Sequence, residues 1–256
     1  MNDIAALKAE LGSQAKNLDV QVFGSIDSTS QWLAEHPPQK PTLVWARQQT
    51  RGRGRMGRTW NSPPGGVYFS VGWPLGSEAP VVASLPLLVG LSLAEALGER
   101  YNVPVRLKWP NDLVVKGAKL GGILVERQRN ALVIGVGINA SAAVAQTPEL
   151  GRRVTGLEEF GGPVVNAALV GHLACGVLDT LAMDPAVVRA SLPARWAALD
   201  ALAGQRVAVE AADAHSVSGR VLGVTPEGLL RLATQQGERH INAGECRLQP
   251  PPEPAG

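Results

Sequence analysis

A run of alternating glycine and arginine lies between two apolar segments and sets the strongest limit on how this chain can fold. It reads Gly52-Arg53-Gly54-Arg55-Met56-Gly57-Arg58, and arginines 47, 51, 53, 55 and 58 fall within twelve residues. No apolar periodicity passes through it, so neither an amphipathic helix nor a half-buried strand can cross this stretch. Glycine leaves the backbone free to take φ > 0 and to approach a ligand closely. Guanidinium forks suit phosphate and carboxylate oxygens. The stretch is read as a flexible loop of fixed positive charge that an anionic ligand would order. By itself it fits a solvated basic loop, a nucleic-acid-binding Arg/Gly segment or a phosphate-gripping loop. It is not a Walker A loop, because GxxxxGK[ST] is absent, and it lacks the GxGxxG dinucleotide fingerprint.

Charge balance narrows these readings. The 256 residues carry a net charge of only +2, so the arginine cluster is a local feature and non-specific nucleic-acid binding is disfavoured as the main function. Aromatic residues, at 4%, are too few for a base-stacking platform. Cys175 and Cys246 are far apart and match neither a metal-ligand spacing nor a disulfide framework, which suits a reducing cytoplasm. The N-terminus reads as a short polar helix without a signal-peptide core. No segment reaches membrane-spanning length uninterrupted, so no membrane partner is expected.

The pattern around the loop is α+β. Strands are expected at 20–26, 42–46, 67–73 and 105–109, with a hairpin of 119–126 and 131–139. Helices are expected at 29–36, 82–100 and 164–182, and at 184–202 with an interruption at Pro193. Gly121, Gly122, Gly135 and Gly137 thin the hairpin and mark close approach by a ligand or another backbone. From Gly204 the period changes to short alternating runs, a small all-β unit. The expected division is 1–202, 203–249 and a disordered tail, 250–256. Four features stand out: the hydroxyl residues Ser28-Thr29-Ser30 after the first strand, the Gly/Arg loop closed by Trp60, Lys108-Trp109-Pro110-Asn111-Asp112-Leu113 at a strand end, and Lys119-Leu120-Gly121-Gly122-Ile123-Leu124-Val125-Glu126. Taken singly, each has an ordinary reading as helix cap, solvated charge, turn or strand face, and Glu126 reads as a strand-face charge.

Together, in this order and with Gly135-Val136-Gly137-Ile138-Asn139 after them, they resemble the signature motifs of the biotin protein ligases, over a match from about residue 24 to the C-terminus. The resemblance implies a mixed-sheet catalytic domain of the biotin/lipoate ligase type and a small C-terminal SH3-like β-barrel. It implies an ATP-dependent ligase, with Mg²⁺, that makes biotinyl-5′-AMP from biotin and transfers biotin to a lysine of a biotin carboxyl carrier protein. Its nearest rival is a lipoate–protein ligase. By resemblance, Lys119, Arg53 and Asp112 are catalytic, with Lys119 donating to the biotin carboxyl oxygen and Asp112 orienting or deprotonating the incoming amine. Ser28, Thr29, Ser30, Gln49, Gly52, Arg53, Gly54, Arg55, Lys119 and Gly122 are implied for biotin. Arg53, Arg55, Arg58, Trp60, Lys108, Asn111 and Asn139 are implied for ATP, with Trp60 stacking on adenine. Metal-binding residues are not identified. Two departures are visible: Ser30 stands where the family commonly has Asn, and one residue is added at Thr50-Arg51, so that Gln49 rather than Gln48 is aligned with the pocket. Some relatives carry an N-terminal DNA-binding module. The first strand near residue 20 leaves no room for one, so DNA is not an expected partner. The oligomeric state stays open, a homodimer included.

Overall fold

The computed structural model describes residues 3–75, 84–128, 130–141, 153–162, 165–210 and 216–249. Seven strands form one mixed sheet: β1 (Asp19–Phe23), β2 (Thr42–Ala46), β3 (Val67–Pro74), β4 (Arg106–Lys108), β5 (Asp112–Val115), β6 (Ala118–Gln128) and β7 (Ala131–Ile138). Their order is β1-β2-β3-β7-β6-β5-β4. Only β1 and β2 are parallel, and helix α2 (Thr29–Glu35) lies in the crossover between them. The remaining neighbours are antiparallel, with β6 and β7 forming the expected hairpin.

The run Thr-Leu-Val-Trp-Ala of β2 is buried throughout because both faces of the sheet are covered there. Leu43 and Trp45 point into the main core, and Val44 points the other way, against Leu33 of α2 and Val133. The main core lies under helices α1 (Asp3–Leu11), α3 (Leu85–Tyr101), α4 (Ala167–Ala182) and α5 (Pro185–Leu199). Helix α4 packs on α1 and α3. Helix α3 begins with Pro86 in its first turn and ends at Asn102, which takes the left-handed conformation with φ of 54°. Among the described residues no single helix is long and apolar enough to cross a membrane.

The C-terminal strands are β8 (Arg206–Glu210), β9 (Ser216–Val224), β10 (Leu230–Thr234), β11 (Gly237–Ile241) and β12 (Glu245–Leu248), all antiparallel in the order β11-β10-β9-β8-β12. Strand β9 pairs with β8 over 216–220 and with β10 over 220–224, which turns the ladder part-way along one strand. Val207, Val209, Val221, Leu230, Leu232 and Cys246 join the same apolar core as the large sheet. Trp109 Nε1, just after β4, donates to Gly228 O between β9 and β10 at 3.1 Å, and Ala201 N, on the segment leading into β8, donates to Leu107 O of β4 at 2.8 Å.

Several boundaries differ from the sequence expectation. β1 ends at Phe23, and Ile26 instead bridges to Gln49. Pro193 does not interrupt its helix: α5 runs from Pro185 to Leu199 through it. A proline ring costs a helix interior roughly 3 kcal/mol. Val188, Leu192 and Trp196, one turn apart and all buried, hold α5 against the core despite that cost. Helix α4 starts at Ala167 rather than 164, because the Asn166 side chain accepts Leu169 N–H at 2.9 Å and caps it. Residues 82–83, 164 and the tail 250–256 lie outside the described residues.

Candidate active site

A cavity of about 690 Å³ opens between the two sheets. Its walls come from the start of α2, the Gly/Arg loop, β5 to β7 and residues 244–248 of the C-terminal sheet. It gathers Ser28, Thr29, Ser30 and Gln49 on one side. It also takes in Arg53, Gly54, Arg55, Arg58 and Trp60 of the loop, and Lys108, Asn111, Asp112, Lys119 and Gly122 of the strands. Gly52 and Asn139 are not part of its lining.

The hydroxyl side is held by a compact polar network. Ser28 caps α2, its Oγ accepting Gln31 N–H at 3.4 Å. Gln49 Oε1 accepts Thr29 N–H at 2.9 Å and the Thr29 hydroxyl at 3.1 Å. Gln49 Nε2 donates to Ser62 Oγ at 2.8 Å, and Ser62 donates to Trp60 O at 3.1 Å. Ser70 Oγ on β3 lies 2.7 Å from Thr29 Oγ1 and 2.9 Å from Ser30 Oγ. The side chain of Gln49, not Gln48, therefore belongs to this network. Ser62 and Ser70 were missed by sequence reasoning. Ser70 is a polar residue inside an otherwise apolar strand run, which is the only local sign of it.

The Gly/Arg loop is not shapeless in this structure. Gly54 N donates to Arg58 O at 2.8 Å and Trp60 N to Gly52 O at 2.9 Å, with Arg53 bridged to Thr59. The tip, Arg55–Gly57, is one turn of 3₁₀ helix in which Met56 and Gly57 have φ of 57° and 72°. A Cβ at Gly52 would lie 2.3 Å from Trp60 O, so glycine is needed where the two arms of the loop meet. Gly137 answers the Trp60 indole: a Cβ there would lie 2.6 Å from Nε1 and Cε2. At Gly135 it would lie 2.7 Å from Ser30 Oγ, and at Gly121 2.6 Å from Gly137 O. The hairpin glycines thus accommodate side chains and backbone of this same chain, a more specific role than the sequence suggested.

Three basic side chains at the cavity each meet a carboxylate. Lys119 Nζ lies 2.9 Å from Asp112 Oδ1 and 5.1 Å from the Trp60 ring centroid. Arg53 reaches Glu126 at 3.1 Å and Gln31 at 3.1 Å, which gives Glu126 a partner the sequence did not suggest. Arg58 makes a fork to Glu245 of β12 at 3.0 and 2.6 Å. Arg55 instead meets a neutral amide, Asn111 Oδ1, at 3.3 Å, and burial pulls its pKa down from the ordinary value. Asn111 is itself fixed by Nδ2 to Ile123 O at 2.7 Å. The peptide between Trp109 and Pro110 is cis. Asn139 is buried and braces the strand that carries Lys119, accepting Leu157 N–H and donating to Leu120 O at 2.8 Å through its backbone. Cys246, also missed, lies in the cavity wall with its thiol pushed up to about 12 by burial.

Residues 22–141 match the Biotin/lipoate A/B protein ligase family, and residues 203–248 match the Biotin protein ligase C terminal domain. A biotin protein ligase from Aquifex aeolicus, solved in complex with biotin and ATP, superposes with a TM-score of 0.77 at 29% identity, over 90% of this chain and 98% of that one. The Leishmania major biotin protein ligase in complex with biotinyl-5-AMP gives 0.58 at 25% identity, over 88% and 99%. The fold is thus that of the biotin/lipoate protein ligases. A biotin–[acetyl-CoA-carboxylase] ligase of Paracoccus denitrificans is 31% identical, over 86% of this chain and 96% of its own length. The bifunctional ligase/repressor BirA of Escherichia coli is also 31% identical, over 90% and 74%. This chain belongs to the biotin protein ligase family.

Proposed function

We propose that this protein activates biotin with ATP as biotinyl-5′-AMP and then transfers biotin to a lysine of a biotin carboxyl carrier protein. The observation that carries this reading is the division of one cavity into a hydroxyl-and-amide side and a cationic side. Biotin has the same division, a neutral cyclic urea at one end and a carboxylate at the other. The names of the relatives support biotin over lipoate.

In the first step a carboxylate oxygen of biotin attacks the α-phosphorus of ATP, and the bond to pyrophosphate breaks. Two anions must meet, so cations near the reacting atoms dominate catalysis. Lys119 holds the carboxyl oxygen, and Arg53, Arg55 and Arg58 hold adenylate and phosphate. Arg53 and Arg58 exchange their carboxylate partners for ligand, and Arg55 gives up its hydrogen bond to the Asn111 amide. Mg²⁺ neutralises phosphate charge when bound. Among the described residues no group of three or more His, Cys, Asp or Glu is placed to hold a metal. In the second step the neutral amine of the carrier lysine attacks the carbonyl carbon, AMP leaves, and Asp112 orients the amine or takes its proton.

The test is to incubate the protein with ATP, Mg²⁺ and either biotin or lipoate, and to identify the adenylate by mass spectrometry. Biotinyl-AMP, followed by labelling of a carrier domain, is the expected result. Adenylate from lipoate alone would overturn the reading.

A further inference from the structure

We propose that Ser70, which lies behind the cavity wall, takes the Ser30 hydroxyl proton inward and so helps the hydroxyl side select a ligand group with N–H donors. The inference rests on the biotin reading above.

The direction follows from counting protons. A backbone N–H can only donate, so the Gln49 atom 2.9 Å from Thr29 N is the amide oxygen, which orients the whole amide. That oxygen also takes the Thr29 hydroxyl proton at 3.1 Å. A hydroxyl has one proton. Thr29 Oγ1 must therefore accept at its 2.7 Å contact with Ser70, and Ser70 must donate there. With its proton committed, Ser70 must accept from Ser30 at 2.9 Å. Beyond Gln49 the bonds continue in the same sense, through Ser62 to Trp60 O. The chain runs one way, from Ser30 to Ser70 to Thr29 to Gln49 to Ser62.

Ser70 is fully buried and is not part of the cavity lining, so it acts through its neighbours as a positioning residue. Its effect is to turn the Ser30 proton inward, beside the Thr29 proton that Gln49 already takes. Both hydroxyls then face the cavity with lone pairs only. Ser28, whose oxygen takes Gln31 N–H, keeps its proton for the cavity. Three consecutive residues thus present two acceptors and one donor. A cyclic urea supplies the complement, two N–H groups and a carbonyl oxygen. The dithiolane of lipoate supplies no N–H, and acceptors left unmatched on closure count heavily against such a ligand. Without Ser70, the Ser30 proton is free to turn toward the cavity and meet a urea N–H group donor to donor.

The experiment compares Ser70→Ala and Ser70→Cys with wild type by biotin-dependent ATP–pyrophosphate exchange, with melting curves as the check on folding. Cysteine nearly matches serine in shape but is a weak donor and acceptor. Both variants should raise the KM for biotin about 10-fold, the effect of one hydrogen bond with its direction lost, while the rate at saturating biotin and the KM for ATP stay within about twofold. The preference for biotin over lipoate should narrow by the same factor. An unchanged biotin KM in Ser70→Ala, or full recovery in Ser70→Cys, would overturn the proposal, the latter by showing that Ser70 supplies volume and not a proton. Absence of biotin-dependent exchange in wild type would strike the proposed function instead, so the two failures are distinct.

Discussion

Lys119 Nζ sits 2.9 Å from Asp112 Oδ1, so the lysine proposed to receive a carboxylate already holds one. The pair is part-buried, with side chains 24% and 13% exposed. Lys119→Gln would leave the Asp112 carboxylate facing the incoming biotin carboxylate. Adenylation and transfer should both fall by about 100-fold or more, the usual scale for losing a group that stabilises developing charge. Adding Asp112→Asn should restore biotin binding by removing the repulsion, but not the rate. Calorimetry and pyrophosphate exchange on the single and double variants separate the two effects. Wild-type rates in a folded Lys119→Gln variant would remove this lysine from the mechanism.

Arg55 is hydrogen-bonded to the Asn111 amide, and it is desolvated while lying in the field of Asp112, so its charge is placed for a ligand phosphate. A hydrogen bond to a charged group is worth roughly 1.5–3 kcal/mol. Arg55→Gly should therefore release biotinyl-AMP about 10- to 100-fold faster, with the loss appearing in the off-rate. Adenylation should persist through Arg53, Arg58 and Lys119. Blotting for biotin on a bystander protein without a carrier domain reads the released anhydride. Bystander labelling no greater than wild type, with adenylate still made, would show that Arg55 does not retain the intermediate.

Gly137 and Trp60 form the closest glycine–indole contact in the site. Gly137→Ala places a methyl 2.6 Å from the ring nitrogen, so the indole must move. Overpacking of this kind costs about 1–3 kcal/mol. If Trp60 receives adenine, the KM for ATP should rise about 10-fold, with biotin affinity nearly unchanged, as expected for about 1.4 kcal/mol of lost binding. Equal losses for both substrates in titration calorimetry would instead place Trp60 under the whole cavity.

Cys246 gives a pH prediction. Burial lifts its thiol from 9.0 to about 12 in the folded protein. Between those values the unfolded chain releases a proton that the folded chain keeps, so stability is complete below pH 9 and falls as pH rises through this window. One such group contributes at most about 1.4 kcal/mol per pH unit. Guanidinium unfolding at pH 8.5, 9.5 and 10.5 should show a steeper loss in wild type than in Cys246→Ala. Parallel curves would show that the thiol titrates alike in both states.

The element order and the site motifs were legible in the sequence because each rests on neighbours along the chain. Apolar period placed β2, β3, the β6–β7 hairpin and the change to a small β unit near residue 204. The Gly/Arg run, Lys108 to Asp112 and Lys119 to Glu126 were recognisable as motifs. Partner choice was not legible. That Arg58 meets Glu245, 187 residues away, and that Trp109 donates to Gly228 depend on how the two sheets share one core. Ser70 and Cys246 look like ordinary strand residues until the fold sets one behind the hydroxyl side and the other in the cavity wall. Pro193 reads locally as a helix stop, and only the buried stripe of Val188, Leu192 and Trp196 overrides it. Local sequence sets backbone preference and face. Which charge is neutralised, which proton turns inward and which glycine must stay bare are settled by contacts between distant segments, which tertiary packing alone brings together.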